Sequence, residues 1–250
     1  MRFTTPEGRE IAYDRTGGAG PGILFLGGFR SDRQGTKAVW LEDWARAEGR
    51  AFLRFDYSGH GESSGRFEDG TIGQWAEDAA AVLDHLTEGP QVLVGSSMGG
   101  WIALLLALRR PGRVAGLVGI AAAPDFTEDG FRAGLTDDER AALARDGRIE
   151  RPSDYSDTPE VLTRALLDDG ADHLVLRSPL ALPAPAHFLQ GTADADVPVD
   201  WALRLLDHAT GPDVRLTLVK GADHRFSTPD CLRLIAATVS AVSANTRSTG

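Results

Sequence analysis

The sequence has 250 residues, 42% of them hydrophobic, enough for one domain with a large core. A formal net charge of −10 and a pI near 5.0 exclude nucleic acid and an anionic membrane surface as favoured partners, because the average face would repel both. The single cysteine, Cys231, excludes an internal disulfide and a cysteine metal cluster; with no apolar signal-like N-terminus and no 18-residue apolar run, a soluble cytoplasmic protein without membrane insertion is expected. Residues 9–16 alternate as an edge strand does, and the glycine-rich stretch to Gly22 reads as a turn. Ile23 opens a continuous apolar run of the kind found in a central parallel strand; a polar loop then leads to an amphipathic helix over 37–49. Further apolar strands start at Ala51, Gln91 and Val114, with a helix over 71–88 between the first two. Such alternation predicts βαβ units and a doubly wound, mostly parallel sheet. After Pro124 the pattern gives way to charged segments read as helices, and it resumes with a strand at His187, a helix at Trp201, a strand at Val214 and a last helix over 229–242. Only the final six residues read as disordered. The expected organisation is therefore a core of 1–124 and 178–250 with a helical insertion over 125–177, serving either as a cap over a site or as a solvated outgrowth.

The stretch QVLVGSSMGGWIALLLAL, from Gln91 to Leu108, reads as strand, sharp turn and core helix. Within it Gly95, Ser97 and Gly99 form G-x-S-x-G, a pattern that exposes a serine hydroxyl at a strained strand-to-helix turn. The same pattern occurs at Gly61, Ser63 and Gly65, but the polar, glycine-broken residues that follow cannot continue as a core helix, so Ser63 is read as a loop residue. An isolated match would fit a serine that merely caps a helix. Two later loops argue otherwise. Asp194 and Asp196 follow the strand at His187, and His224 follows the strand at Val214, each at the sheet rim where open α/β folds place their sites. Nucleophile, acid and base in this order fit acyl transfer, with either aspartate as the acid. The amides of Met98 and of Phe29, in the loop after the Ile23 strand, are the expected oxyanion donors. His85, His173 and His208 fall on predicted helices, His187 on a strand and His60 in a turn; no pair has metal-ligand spacing, and Cys231 reads as core filler.

The motifs GGF, DYSGHGES, GSSMGG, LQGTADADVP and GADHRF, in this order, resemble the α/β-hydrolase superfamily. More narrowly, residues 35–63, VGSSMGGW and the DHR of GADHRF are similar to the family of the mitochondrial palmitoyl-protein thioesterase that also hydrolyses acyl glucuronides, and to its bacterial relatives, with Tyr155 and Ser156 an echo in the insertion. The resemblance places the acid on Asp194. One departure is Gly27, where many hydrolases have histidine. The resemblance implies a serine hydrolase of acyl esters or thioesters that needs neither cofactor nor metal, acting on small acyl compounds or acylated proteins; the alternative is a binding or regulatory protein on the same scaffold. Phe126, Phe131, Leu135, Leu162 and Leu166 are candidates to line an acyl pocket, and Arg30 and Arg225 to receive an anionic leaving group. The insertion carries 14 acidic and 7 basic residues, so substrates with several negative charges, acyl-CoA among them, are expected to be disfavoured.

Overall fold

Strands that are apolar along their whole length can be buried on both faces, and the central strands of this chain are covered accordingly by helices above and below. A computed structural model describes residues 1–152 and 159–244. Its elements are β1 (Arg2–Thr4), β2 (Glu10–Thr16), β3 (Ala19–Leu26), α1 (Thr36–Ala47), β4 (Arg50–Phe55), α2 (Ile72–Leu86), β5 (Gln91–Ser96), α3 (Met98–Arg109) and β6 (Val114–Ile120). Beyond β6 come α4 (Asp137–Asp146), β7 (Arg148–Arg151), β8 (Glu160–Thr163), α5 (Arg164–Ala171), β9 (Leu180–Ala181), β10 (Ala186–Gly191), α6 (Val199–His208), β11 (Ala209–Thr210), β12 (Val214–Val219) and α7 (Pro229–Ala244).

The main sheet has eight strands in the order β1-β2-β4-β3-β5-β6-β10-β12. β1 and β2 pair antiparallel, as do β2 and β4, and every other pairing in the sheet is parallel. The edge is therefore β1 rather than β2, because a three-residue strand is too short to show alternation. The glycine-rich stretch expected as a turn is extended from Ala19 onwards. One apolar layer packs α2 and α3 with Trp75, Trp101 and Ile102 at its centre; the other holds Ile23, Val92, Val118, Leu41 and Val239 against α1 and α7. Chain direction across the sheet reverses between β3 and β5, so the loops after these two strands open side by side at one rim.

The insertion is less helical than expected. After a π-helical turn at Thr127–Arg132 and α4, Arg148–Arg151 and Glu160–Thr163 form the antiparallel pair β7 and β8, and only at Arg164 does α5 begin. Thr163 explains that boundary: its hydroxyl accepts from Leu166 N–H at 3.1 Å and caps α5, while the β-branched Val161 and Thr163 favour the extended state. His173, expected on a helix, lies beyond the end of α5. The resemblance at Tyr155 and Ser156, and the disorder expected of residues 245–250, lie outside the described residues.

Asp125 closes the base of the insertion. It is fully buried at φ 61°, and its carboxylate accepts from Val175 N–H at 2.8 Å, Leu176 N–H at 2.9 Å and Arg177 at 3.0 Å, tying the start of the insertion to its return. Asp125→Ala would leave two buried amides without acceptors, so the expected loss of unfolding free energy is about 2–4 kcal/mol. A urea titration with a midpoint equal to that of the wild type would show the tie to be dispensable.

Candidate active site

The elbow is built by close backbone approach. A Cβ on Gly95 would lie 2.2 Å from the carbonyl oxygen of Gly99, and one on Gly99 would lie 2.1 Å from that of Leu26, so neither position tolerates a side chain. Between them Ser97 is driven to φ 54° and ψ −119°. Its backbone is held on three sides: its N–H donates to Ile120 O at 2.9 Å, and its carbonyl accepts from Gly100 N–H at 2.9 Å and Ala123 N–H at 3.1 Å. The hydroxyl makes no capping bond to α3, which removes the helix-cap explanation of this serine.

Ser97 opens into a cavity of about 780 Å³ whose lining includes Gly28, Phe29, Arg30, Ser31, Lys37 and His224. His224 Nδ1 lies 2.9 and 3.1 Å from the two oxygens of Asp194, whose side chain is fully buried. Asp194 also accepts from Gln190 Nε2 at 3.0 Å, Val197 N–H at 2.8 Å and Asp196 N–H at 3.0 Å. Burial alone would raise its pKa; the hydrogen bond from His224, the Val197 amide and Gln190 together outweigh it and hold the carboxyl below its usual range. An ionised Asp194 can only accept, so Nδ1 of His224 carries a proton, and in the neutral tautomer this selects it is Nε2 that holds the lone pair. The Ser97 hydroxyl and His224 share the cavity wall without a direct hydrogen bond among the described residues; such contacts often close only around substrate.

Asp196 is a different kind of residue. It is exposed on the cavity rim and contributes its amide to Asp194. Asp194, Asp196 and His224 bring metal-ligand atoms within 4.8 Å of one another, yet the Asp194 oxygens already accept from His224, Gln190 and two amides, the donor set of a carboxylate that orients an imidazole.

The Phe29 and Met98 amides donate to no protein acceptor among the described residues, and Gly28 brings the first of them close: a Cβ on Gly28 would lie 3.3 Å from Ser97 Cβ. With glycine at 27, the loop is held by Arg33, whose N–H reaches Asp56 at 2.6 Å and whose guanidinium bonds Asp56 at 2.5 Å and Glu62 at 2.6 Å. Ser63, the serine of the second G-x-S-x-G, is consumed in structure: its hydroxyl donates to Asp56 O at 2.7 Å and accepts from Ala12 N–H at 2.8 Å.

Phe126 and Phe131 line the cavity and meet Phe29 edge-on at ring separations of 5.6 and 5.8 Å. Leu135, Leu162 and Leu166 are buried in the core and do not line it. Arg30 and Arg225 are both on the wall, Arg30 lying over the Phe67 ring at 5.0 Å. Of the acidic residues described in the insertion only Glu160 reaches the lining, which it shares with Arg30, Lys37 and Arg225. His60 is buried among Tyr57, Phe67 and Trp75, and burial pushes its pKa down to about 4, which makes it a neutral packing residue rather than only a turn former. Lys37, Gln190, Glu160 and Trp201 escaped the motif reading because each sits in an ordinary helix or strand pattern. A glutamine near the end of a wholly buried strand is the signal available for Gln190.

The profile of the alpha/beta hydrolase fold family matches residues 23–166. Palmitoyl-protein thioesterase ABHD10, mitochondrial, of Rattus norvegicus is 37% identical over 94% of this chain and 79% of its own length. A crystal structure described as a hydrolase from Agrobacterium vitis S4 superposes with a TM-score of 0.93 at 44% identity, covering 97% of each chain. Alpha/beta hydrolase domain-containing protein 10 from mouse gives a TM-score of 0.90 at 34% identity and 98% coverage of each. The mitochondrial names of the curated relatives lend no support to the cytoplasmic location expected from composition. No helix among the described residues is long and apolar enough to cross a membrane. With the rim loops, the elbow and these relatives in agreement, the chain belongs to the α/β-hydrolase family.

Proposed function

We propose that this protein hydrolyses acyl esters and thioesters through an acyl-enzyme, with Ser97 as nucleophile, His224 as general base and then acid, and Asp194 as the orienting carboxylate. One observation carries the reading: a serine held in a left-handed turn, its hydroxyl not used as a cap, shares a cavity wall with a histidine whose other nitrogen is bonded to a buried, ionised aspartate. Ser97 Oγ attacks the acyl carbon as its proton passes to His224 Nε2. The oxyanion that forms takes hydrogen bonds from the Met98 and Phe29 amides. His224 then protonates the departing alkoxide or thiolate as its bond to the acyl carbon breaks, and water repeats the sequence on the acyl-enzyme. The acyl group lies against Phe29, Phe126, Phe131 and Trp201. The rat relative's name, a palmitoyl-protein thioesterase, supports thioesters and acylated proteins among the substrates.

A fluorophosphonate should label the wild type at Ser97 and nowhere else; an unlabelled chain would favour a binding protein on a hydrolase scaffold. Ser97→Ala is expected to retain the fold and lower kcat on a p-nitrophenyl ester by roughly 10⁶, whereas Ser63→Ala should act on stability alone. Inactivation by Ser63→Ala with Ser97→Ala still active would reverse the assignment.

Asp194→Asn would favour the wrong tautomer of His224, and a fall of about 10⁴ in kcat is expected. Asp196→Asn keeps the amide that bonds Asp194 and should lose less than about tenfold, since an isosteric change at an exposed side chain leaves the buried Asp194 carboxylate bonded to His224 Nδ1. Comparable losses in both variants, read from pre-steady-state acylation, would take Asp194 out of the mechanism.

A further inference from the structure

We propose that Lys37 is a positioning residue for the proposed base, its ammonium pinning the turn that carries His224 through the carbonyl of Arg225; this rests on the serine-hydrolase reading above. Lys37 is in the first turn of α1, where the helix dipole disfavours a cation, and it is half-buried on the cavity wall. Its Nζ donates to Arg225 O, and among the described residues no carboxylate lies within ion-pair distance of it. A cation at the wrong end of a helix, half-desolvated and without a paired acid, is a local conflict of the kind folds retain where function needs it.

The bond has a specific target. Residues 223–226 form a tight turn in which Phe226 N–H donates to Asp223 O at 3.2 Å and to Asp223 Oδ1 at 3.1 Å, with His224 and Arg225 at its centre. Phe226 is fully buried at φ 48°, a conformation rarely adopted by residues with side chains. The peptide between Arg225 and Phe226 sets that angle, and its carbonyl is the group Lys37 holds. Rotation of this peptide would relieve Phe226 and shift His224 relative to Ser97. A charged donor holds a carbonyl about twice as strongly as a neutral one, so the grip depends on the proton of Lys37.

The groups that set this charge come from three neighbouring elements. Asp223 and Asp194 favour the ammonium, Arg225 opposes it, and Cys231 of α7 lies close by. Burial outweighs all of them and brings the pKa of Lys37 down to about 8. The ammonium is therefore the main form below about pH 8 and is lost above it, and the hold on the turn weakens with it.

The experiment compares wild type, Lys37→Met, Lys37→Arg and Lys37→Cys alkylated with 2-bromoethylamine, measuring kcat and KM on a neutral p-nitrophenyl ester from pH 6 to pH 10. Wild-type kcat should fall on the alkaline side with a midpoint near pH 8. Lys37→Met should fold, keep KM within about threefold, lose about 10- to 100-fold in kcat and show no alkaline limb, because a base displaced by about 1 Å costs that much. Lys37→Arg, charged throughout, should recover kcat and remove the limb. The aminoethylated cysteine, whose sulfur makes its amine more acidic, should recover kcat and move the limb to lower pH. An alkaline limb that persists unchanged in Lys37→Met, or a Lys37→Met kcat equal to that of wild type, overturns the role of Lys37 and leaves the chemistry at Ser97 standing. Hydrolysis that survives in Ser97→Ala overturns both.

Discussion

Ser97 is held at φ 54° and ψ −119°, in a backbone region that costs a residue with a side chain about 1–3 kcal/mol. The fold sustains that cost through contacts available only at this point. β5 and α3 approach until the backbone at Gly95 touches that of Gly99, and Gly99 in turn touches the end of β3. Ile120 O and the amides of Gly100 and Ala123 then fix the Ser97 peptide groups. The same closeness brings Gly28 against Ser97, so the strain that exposes the hydroxyl also sets the neighbouring amide donors. One packing constraint thus places the proposed nucleophile and oxyanion donors together.

The loops around this point are fixed by buried charge rather than by apolar packing. Asp56, 1% exposed, receives the Arg33 amide, the Arg33 guanidinium and the Glu62 amide, joining the loop after β3 to the loop after β4. Arg54 extends the network to Glu42 at 2.6 Å and to Arg33 O at 2.5 Å. Buried ion pairs of this kind contribute little net stability once desolvation is counted, but a wrong arrangement strands a charge, which makes them strong selectors of one geometry. They hold in place the residues that follow the loop carrying Gly27.

The cavity inherits its character from several elements at once. Its aromatic wall joins Phe29 of the core to Phe126 and Phe131 of the insertion, and its polar wall combines Arg30, Lys37 and Arg225 with Glu160 and Asp196. A net charge summed over the insertion averages residues that face solvent with those, Glu160 among them, that line the cavity, and potential at short range depends on the latter.

Much of the site was legible in the chain itself. Long apolar runs point to buried parallel strands, glycine at 95 and 99 allows the close approach, and Ser97 and His224 each follow a strand, so periodicity and turn chemistry sufficed to nominate them, whereas the acid stayed open between Asp194 and Asp196 until the family resemblance chose Asp194. Local pattern also separated Ser63 from Ser97, although the hydrogen bonds that occupy Ser63 were invisible to it. What the tertiary structure alone decided are the contacts between residues far apart in sequence. Asp194 meets His224 across 30 positions, Arg33 meets Asp56 across 23, and Lys37 reaches Arg225 across 188. None of these leaves a periodic trace, because a side chain's partner is set by strand order and loop path, whereas amphipathic spacing records only which face of its own element is buried.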